Sequence, residues 1–358
     1  MRRCLALALA AALAFAGCSK KEEKPAAEMF WTLRAVSSYL ALMESPGARR
    51  AYFDGSALTY REFVERAGLD CPTNAAEGRF GVVFVRGEVA PRDWKGLSER
   101  LTEGGALAWG FSVKDMKLAE FRRRLEEFPF PEAHLWMPGA EEWLLIGRKS
   151  TRPLKLDEML ETFADERMFE DLAKAGCGTL PEMFASYAGT REDVMPAFEG
   201  GNPETVVRPE FFLTRDIPGA AWVERGETDD DIYTAVENEV RSLQRVRRTV
   251  LEGNMQSAAG EGEKAIQTWA RAFLRNPHDP LLIERLERLG VNAHAFFRVG
   301  NISTAAKCYE TMVLINPKDA AAVRCLGQCY GMLGKKELAA EVTRRADELC
   351  RAAVRSCQ

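Results

Sequence analysis

The chain has 358 residues, of which 46% are hydrophobic and 28% are charged. This length allows about two domains, and the composition provides a substantial core and excludes gross disorder. The net charge is −4, and it becomes −6 when the two arginines at positions 2 and 3 leave with an N-terminal signal. An acidic chain without a sustained basic stripe binds nucleic acid poorly, so no nucleic-acid partner is expected.

The N-terminal segment, residues 1–17, has the features of a signal peptide. Met1 is followed by two arginines, and residues 5–15 form an uninterrupted apolar run. That run is shorter than the roughly 20 residues of a transmembrane helix. No later stretch is apolar for long enough to cross a membrane. Residues 18–28 are charged and are expected to form a flexible tether.

The end of this signal resembles a bacterial lipobox, in which a cysteine after small residues becomes acylated. Ala16 and Gly17 precede Cys18, although Phe15 stands where the motif usually has leucine. The resemblance implies lipid attachment at Cys18 and a location in the bacterial cell envelope. Ser19 implies sorting to the periplasmic face of the outer membrane. A cleaved signal with a coincidental cysteine is the alternative.

The next segment predicts an α/β domain over residues 29–223. Strands are expected at 50–53, 80–85 and 106–111, and helices at 60–67, 94–101 and 118–128. Residues 133–137 and 143–146 flank Pro138-Gly139 and predict a hairpin at the sheet edge. Helices over 156–163, 168–175, 181–188 and 192–198 are expected to cover that edge.

Part of this domain resembles the C-terminal part of spermidine synthase-like domains. The residues that carry the resemblance lie at 101–109, 121–129, 135–136, 143–147 and 209–218, where Thr214, Asp216 and Pro218 match the family's closing segment. The resemblance implies a truncated, Rossmann-like (methyltransferase-like) sheet.

The departures from this family predict that the domain has lost its activity. The family binds its S-adenosyl-type cofactor through a glycine-rich turn, and no G-x-G occurs between Cys18 and Phe80. Arg86 stands where the family has its catalytic carboxylate, and a guanidinium cannot accept a proton. We therefore expect no cofactor and no catalytic residue. Glu88 is a conceivable replacement base, and Asp54-Gly55 is either a simple turn or a remnant of the adenine contact.

An acidic run at residues 224–231 marks the end of this domain. We interpret residues 224–245 as an acidic linker and a lead helix, since acidic residues stabilise a helix N-terminus. A calcium loop would need oxygen ligands at alternating positions and a glycine at a defined spacing.

The C-terminal third contains a repeat. Ala293, Phe296, Gly300 and Ala305 are followed, at one constant spacing, by a small, an aromatic, a glycine and an alanine residue: Gly327, Tyr330, Gly334 and Ala339. This spacing and pattern resemble the tetratricopeptide repeat (TPR), a pair of closely packed helices with a period of about 34 residues. The resemblance implies an all-α array over residues 246–358.

A weaker copy precedes these repeats. Gly253, Trp269 and Pro277 fit the same template. However, Pro317 follows Pro277 by more than one repeat period, so about six residues near 280–285 are extra. The sequence therefore predicts one degraded repeat, two good ones and a closing helix over 339–353.

Such repeats usually bind proteins rather than carry chemistry. The register of the repeat predicts a partner-binding groove that exposes one set of side chains: His294, Phe297, Arg298, Arg324, Gln328 and Met332, with Arg247 and Asn254 as an extension. Arginine beside phenylalanine suits a peptide with carboxylate groups, although the arginines are equally consistent with an ordinary solvated surface.

The fold class expected is thus α/β plus all-α, a truncated Rossmann-like sheet followed by TPR helical hairpins. The expected function is that of a membrane-anchored, noncatalytic interaction or scaffold protein. The alternative is a spermidine synthase-like aminopropyltransferase or methyltransferase with a non-standard site. Seven cysteines remain besides Cys4 and Cys18, and we expect buried thiols rather than a zinc site because no C-x-x-C occurs.

Overall fold

The computed structural model describes residues 24–73, 78–87, 93–150, 153–164, 166–174, 177, 179–198, 200–212 and 222–356. A mixed six-stranded sheet occupies the N-terminal half, and a helical array follows it. The predicted signal and Cys18 lie outside the described residues, as does Glu88. The first helix begins at Lys24, inside the segment interpreted as a tether, because alanine and glutamate favour helix and proline is tolerated in a first turn.

The six strands combine a parallel part with an antiparallel part. Their bounds are β1 (Ala51–Gly55), β2 (Phe80–Arg86), β3 (Leu101–Ser112), β4 (Ala133–Trp136), β5 (Glu142–Arg148) and β6 (Tyr187–Thr190). Their order in the sheet is β1-β2-β3-β5-β4-β6. Strands β1, β2 and β3 are parallel, whereas β5 runs antiparallel to both β3 and β4, and β6 antiparallel to β4.

Both faces of the sheet are buried because the central strands are apolar along almost their whole length. On β2, Val82 and Phe84 enter one core while Val83 and Val85 enter the other, as the two-residue period of a strand requires. The helices that surround the sheet are α1 (Lys24–Met43), α2 (Arg61–Arg66), α3 (Trp94–Glu99), α4 (Leu118–Glu127), α5 (Leu156–Phe163), α6 (Glu166–Lys174), α7 (Leu180–Phe184) and α8 (Arg191–Val194).

Two sequence expectations in this half are wrong. The β4–β5 hairpin forms, but it does not lie at the sheet edge, because β4 also pairs with β6. The helix expected over 181–188 ends early: α7 stops at Phe184, and Tyr187 begins β6. Tertiary pairing overrides local preference here, since Met137 donates its backbone N–H to the carbonyl of Ser186.

The array consists of three helical hairpins in series. Its helices are α9 (Asp230–Ala258), α10 (Gly262–Arg275), α11 (Pro280–Arg298), α12 (Ile302–Ile315), α13 (Ala320–Met332) and α14 (Lys336–Ser356). The turns within the pairs α9/α10, α11/α12 and α13/α14 contain Gly260, Gly300 and Gly334, whose φ angles of +82°, +81° and +76° favour glycine. The closing helix is α14, and it extends beyond the bounds expected from the sequence.

The extra residues of the middle repeat lengthen a helix rather than a loop. Helix α11 has 19 residues and α13 has 13, and both begin directly after a capping aspartate, Asp279 or Asp319. The excess therefore lies in the N-terminal part of α11. The lead helix and the first repeat helix are likewise continuous as α9, whose N-cap is Asp229, so the acidic run acts as a helix cap.

Candidate functional site

The expected groove residues of α11 have two different environments. The Nδ1 atom of His294 lies 3.4 Å from the hydroxyl of Tyr309 on α12, and Phe297 is partly buried against the core that α11 shares with α12 and α13. Both side chains therefore take part in packing. Arg298 at the end of the same helix is exposed.

The three residues expected on α13 are all exposed. Among them Met332 is a large apolar residue that is 63% accessible to solvent. Arg324 lies beside the neighbouring helix, with its Nη2 3.4 Å from the Oδ1 of Asp347. The structure thus leaves Arg298, Arg324, Gln328 and Met332 available to a partner and turns His294 and Phe297 inwards.

Arg247 does not extend the groove, which corrects the expectation from the sequence. Its guanidinium is buried and donates to the carbonyl oxygens of Ala185, at 3.2 Å, and of Met137. Burial lowers the pKa of Arg247, and the buried carboxylate of Asp279 opposes that effect. The reason is that α9 packs against α7, so this part of the helix faces the sheet domain.

The N-terminal part of α11 joins the array to the sheet domain. The carboxylate of Glu284 accepts a hydrogen bond from the backbone N–H of Ala140 at 2.8 Å, and it also accepts one from the guanidinium of Arg288 at 2.6 Å. Arg288 in turn lies 2.7 Å from Glu141. Glu284, one of the extra residues of the middle repeat, therefore supplies part of this interface.

A cavity of about 400 Å³ lies beside these contacts, between the end of β3, the segment around Arg208 and helices α9 and α11. Asp115, Glu210, Asn254 and Arg285 are among the residues that line it. Sequence reasoning did not identify Arg285 as a site residue. The extra residues near 280–285 were the signal that marked this part of the chain as unusual.

A second polar cluster lies at the carboxyl ends of β1 and β2. Arg86 ends β2, and its Nη2 is 3.5 Å from the Oε2 of Glu142 at the start of β5. Tyr60 is buried beside them, and a Cβ atom at Gly110 would overlap its hydroxyl. Burial raises the pKa of Tyr60 to about 12 and also raises the pKa of Glu142, although Arg86 opposes both effects. Arg86 thus has an acidic partner that the sequence did not reveal.

Other buried carboxylates serve the fold. Glu44 is buried, accepts a hydrogen bond from the indole of Trp136 at 2.6 Å and lies 2.9 Å from the Nδ1 of His134. These contacts tie α1 to β4. A carboxylate whose oxygens are already engaged in the core lacks the access that chemistry on a substrate needs.

The described part of the chain contains no group of three or more His, Cys, Asp and Glu side chains that could hold a metal ion. Within the same described residues six cysteines are present, and none of them forms a disulfide: Cys71, Cys177, Cys308, Cys325, Cys329 and Cys350. Burial raises the pKa of the Cys177 thiol to about 12, as expected for an inert side chain. No helix within the described ranges is both long and apolar enough to span a bilayer.

Comparisons with known proteins do not assign the chain to a family. No family model matches it, and a search of curated proteins finds no significant match.

Proposed function

We propose that this chain is a noncatalytic interaction or scaffold protein of the bacterial envelope, anchored by lipid at Cys18 and holding a protein or peptide partner through TPR-like hairpins. The observation that carries the proposal is a small residue at the same place in each hairpin: Gly253, Ala293 and Gly327. All three are buried.

The contacts of two of these residues support the TPR interpretation. A Cβ atom at Gly253 would lie 2.5 Å from the indole nitrogen of Trp269, and one at Gly327 would lie 2.9 Å from the hydroxyl of Thr343. In each hairpin the second helix therefore approaches the first at the position where the sequence pattern demands a small residue. Close packing of this kind is the physical basis of the repeat.

The sheet domain is consistent with a degenerate, Rossmann-like relative of spermidine synthase-like domains. Parallel strands β1, β2 and β3 followed by the antiparallel β4–β5 pair agree with the order expected for that resemblance. The position expected to carry the catalytic carboxylate holds Arg86, which is paired with Glu142. A guanidinium there cannot act as a general base, which supports a noncatalytic role.

Charge reversal in the groove tests the proposal. The double variant Arg298→Glu with Arg324→Glu should abolish capture of the native partner from membranes, while the helical circular dichroism stays unchanged. Arg324 loses an exposed pair with Asp347 and a 3.4 Å contact with the sulfur of Cys350, and exposed contacts of this kind contribute little to stability. The matched control is Arg275→Glu with Arg344→Glu, two exposed arginines outside the predicted groove. Retained capture by the groove variant would place the binding surface elsewhere.

The alternative is an aminopropyltransferase-like or methyltransferase-like enzyme with a non-standard site. One observation favours it: Glu142 is a carboxylate at the carboxyl edge of the parallel strands, and its pKa is raised. Calorimetry with decarboxylated S-adenosylmethionine and with methylthioadenosine separates the two proposals. Affinities of millimolar or weaker for both compounds would reject the enzyme.

A further inference from the structure

We infer that the cavity between the sheet domain and the array binds a small zwitterion of the amino-acid or dipeptide type, with its carboxylate on Arg285. This inference is independent of the partner-binding proposal above. It concerns a different surface, formed by the end of β3, the segment 206–210 and helices α9 and α11.

Arg285 has the environment of an anion-binding residue without its anion. Its guanidinium stacks on Trp269, 4.6 Å from the ring centroid, and its Nη2 donates to the hydroxyl of Ser257 at 3.1 Å. The Nε atom is buried without a hydrogen-bond partner. Across the described ranges, no carboxylate lies within ion-pair distance of this side chain. Stacking fixes the plane of the guanidinium fork, and that fork matches a carboxylate.

The other cation of α11 in this cavity is already paired. Arg288 is bound by Glu284 and by Glu141, at 2.6 and 2.7 Å. Burial lowers the pKa of Arg285 and the nearby charge of Arg288 lowers it further, whereas the carboxylate of Glu210 acts in the opposite direction. Burial and Arg288 oppose the charged form of Arg285, and a bound anion would stabilise that form.

The remaining polar groups define the rest of the ligand. Asp115 and Glu210 line the cavity, and neither makes an ion pair with any described residue. The Oδ1 atom of Asn254 is buried without a hydrogen-bond partner. A ligand that carries an ammonium group and an N–H donor beside its carboxylate would satisfy these acceptors.

The charge of the cavity wall favours a zwitterion over a phosphate. Four cationic side chains line it (Lys114, Arg208, Arg285 and Arg288), and four carboxylates oppose them: Asp115, Glu141, Glu210 and Glu284. A neutral wall does not compensate the two charges of a phosphate dianion. The volume of about 400 Å³ lies in the range of small-molecule sites, and Val113, Val207 and Leu281 offer an apolar wall for aliphatic side chains.

Calorimetry on the purified soluble chain tests the inference, with L-leucyl-L-leucine and free L-leucine as probes. The dipeptide, the amino acid or both should bind saturably. The dipeptide amide, which lacks the carboxylate, and the N-acetyl dipeptide, which lacks the ammonium group, should bind more weakly. Each loss should be roughly 10- to 100-fold, the usual worth of a hydrogen bond to a charged group.

Substitution of Arg285 identifies the binding group. Arg285→Met keeps an extended side chain on Trp269 and should weaken binding of the same probe by a similar factor, whereas Arg275→Met, on an exposed arginine, should leave it unchanged. If Arg285→Met does not fold, Arg285→Lys keeps the charge, and its loss of the planar fork should still weaken binding. Absence of saturable binding of both probes at 10 mM, or undiminished binding by the Arg285 variant, would overturn the inference. Inorganic phosphate that binds in place of the probes would also overturn it.

Discussion

The carboxylate of Glu284 and the backbone N–H of Ala140 form a 2.8 Å hydrogen bond that joins the helical array to the sheet domain. Glu284 is only 6% exposed, and its other oxygen binds Arg288. The array therefore does not stand alone: buried Glu284, like buried Arg247, connects it to the loop between β4 and β5.

Glu284→Ala should weaken this junction. It leaves the Ala140 N–H and one donor of Arg288 without their acceptor, which should lower the free energy of unfolding by about 1–3 kcal/mol in urea titration. The matched control is Glu348→Ala, an exposed glutamate of α14, which should change it by less than about 0.5 kcal/mol. Equal effects of the two variants would show that the Ala140 contact does not stabilise the fold.

Gly327→Leu should destabilise the last hairpin. A side chain at this position meets Thr343 of α14, and overpacking typically lowers stability by about 1–3 kcal/mol. Gly331→Leu on the same helix is the control, because no atom lies within 4 Å of a Cβ built there and leucine favours helix more than glycine. Thermal unfolding should show a lower midpoint for the first variant only. The same midpoint in both would contradict the proposed contact between α13 and α14.

Glu142 should make stability depend on pH. Burial raises its pKa above the ordinary value of 4.5, so the folded state retains the proton at a pH where the unfolded chain has released it. The contribution of this carboxyl is present below pH 4.5 and is lost as pH rises through the folded pKa. In Glu142→Gln this loss is absent, so the unfolding free energy of the variant should rise relative to that of the wild-type chain as pH increases above 4.5.

The control for this titration is Glu348→Gln, which removes an exposed carboxyl and should show no such shift. The opposite result would be a rise in the unfolding free energy of the wild-type chain relative to Glu142→Gln as pH increases. That result would mean that the ion pair with Arg86 outweighs the burial of Glu142.

Cys18→Ser should abolish membrane anchoring. A lipoprotein is anchored by several acyl chains, which cannot be attached once the cysteine is absent. The variant should therefore be released from membranes or remain unprocessed, with its signal still attached. Fractionation of cells that express Cys18→Ser measures this effect, with Cys4→Ser inside the signal as the control. Unchanged fractionation of Cys18→Ser would rule out the lipobox.

Much of the architecture was predictable because it depends on local patterns. Apolar runs located β2 and β3, and helical periodicity located α4 and α5. Strand β6 was not predictable, because residues 187–190 form a strand only by pairing with β4, which lies far upstream in the chain. Sequence reasoning therefore placed the β4–β5 hairpin at the edge, which β6 occupies in the structure.

The sequence by itself determined the repeat, since Gly253, Ala293 and Gly327 must be small for any helical hairpin of this kind to close. It also marked the extra residues near 280–285 without explaining them. Only the tertiary structure decided that Glu284 among them binds Ala140, that Arg247 is buried, and that Arg285 stacks on Trp269 beside a cavity. The physical reason is that helical periodicity fixes which residues share a face, whereas the neighbour of that face depends on contacts between distant parts of the chain.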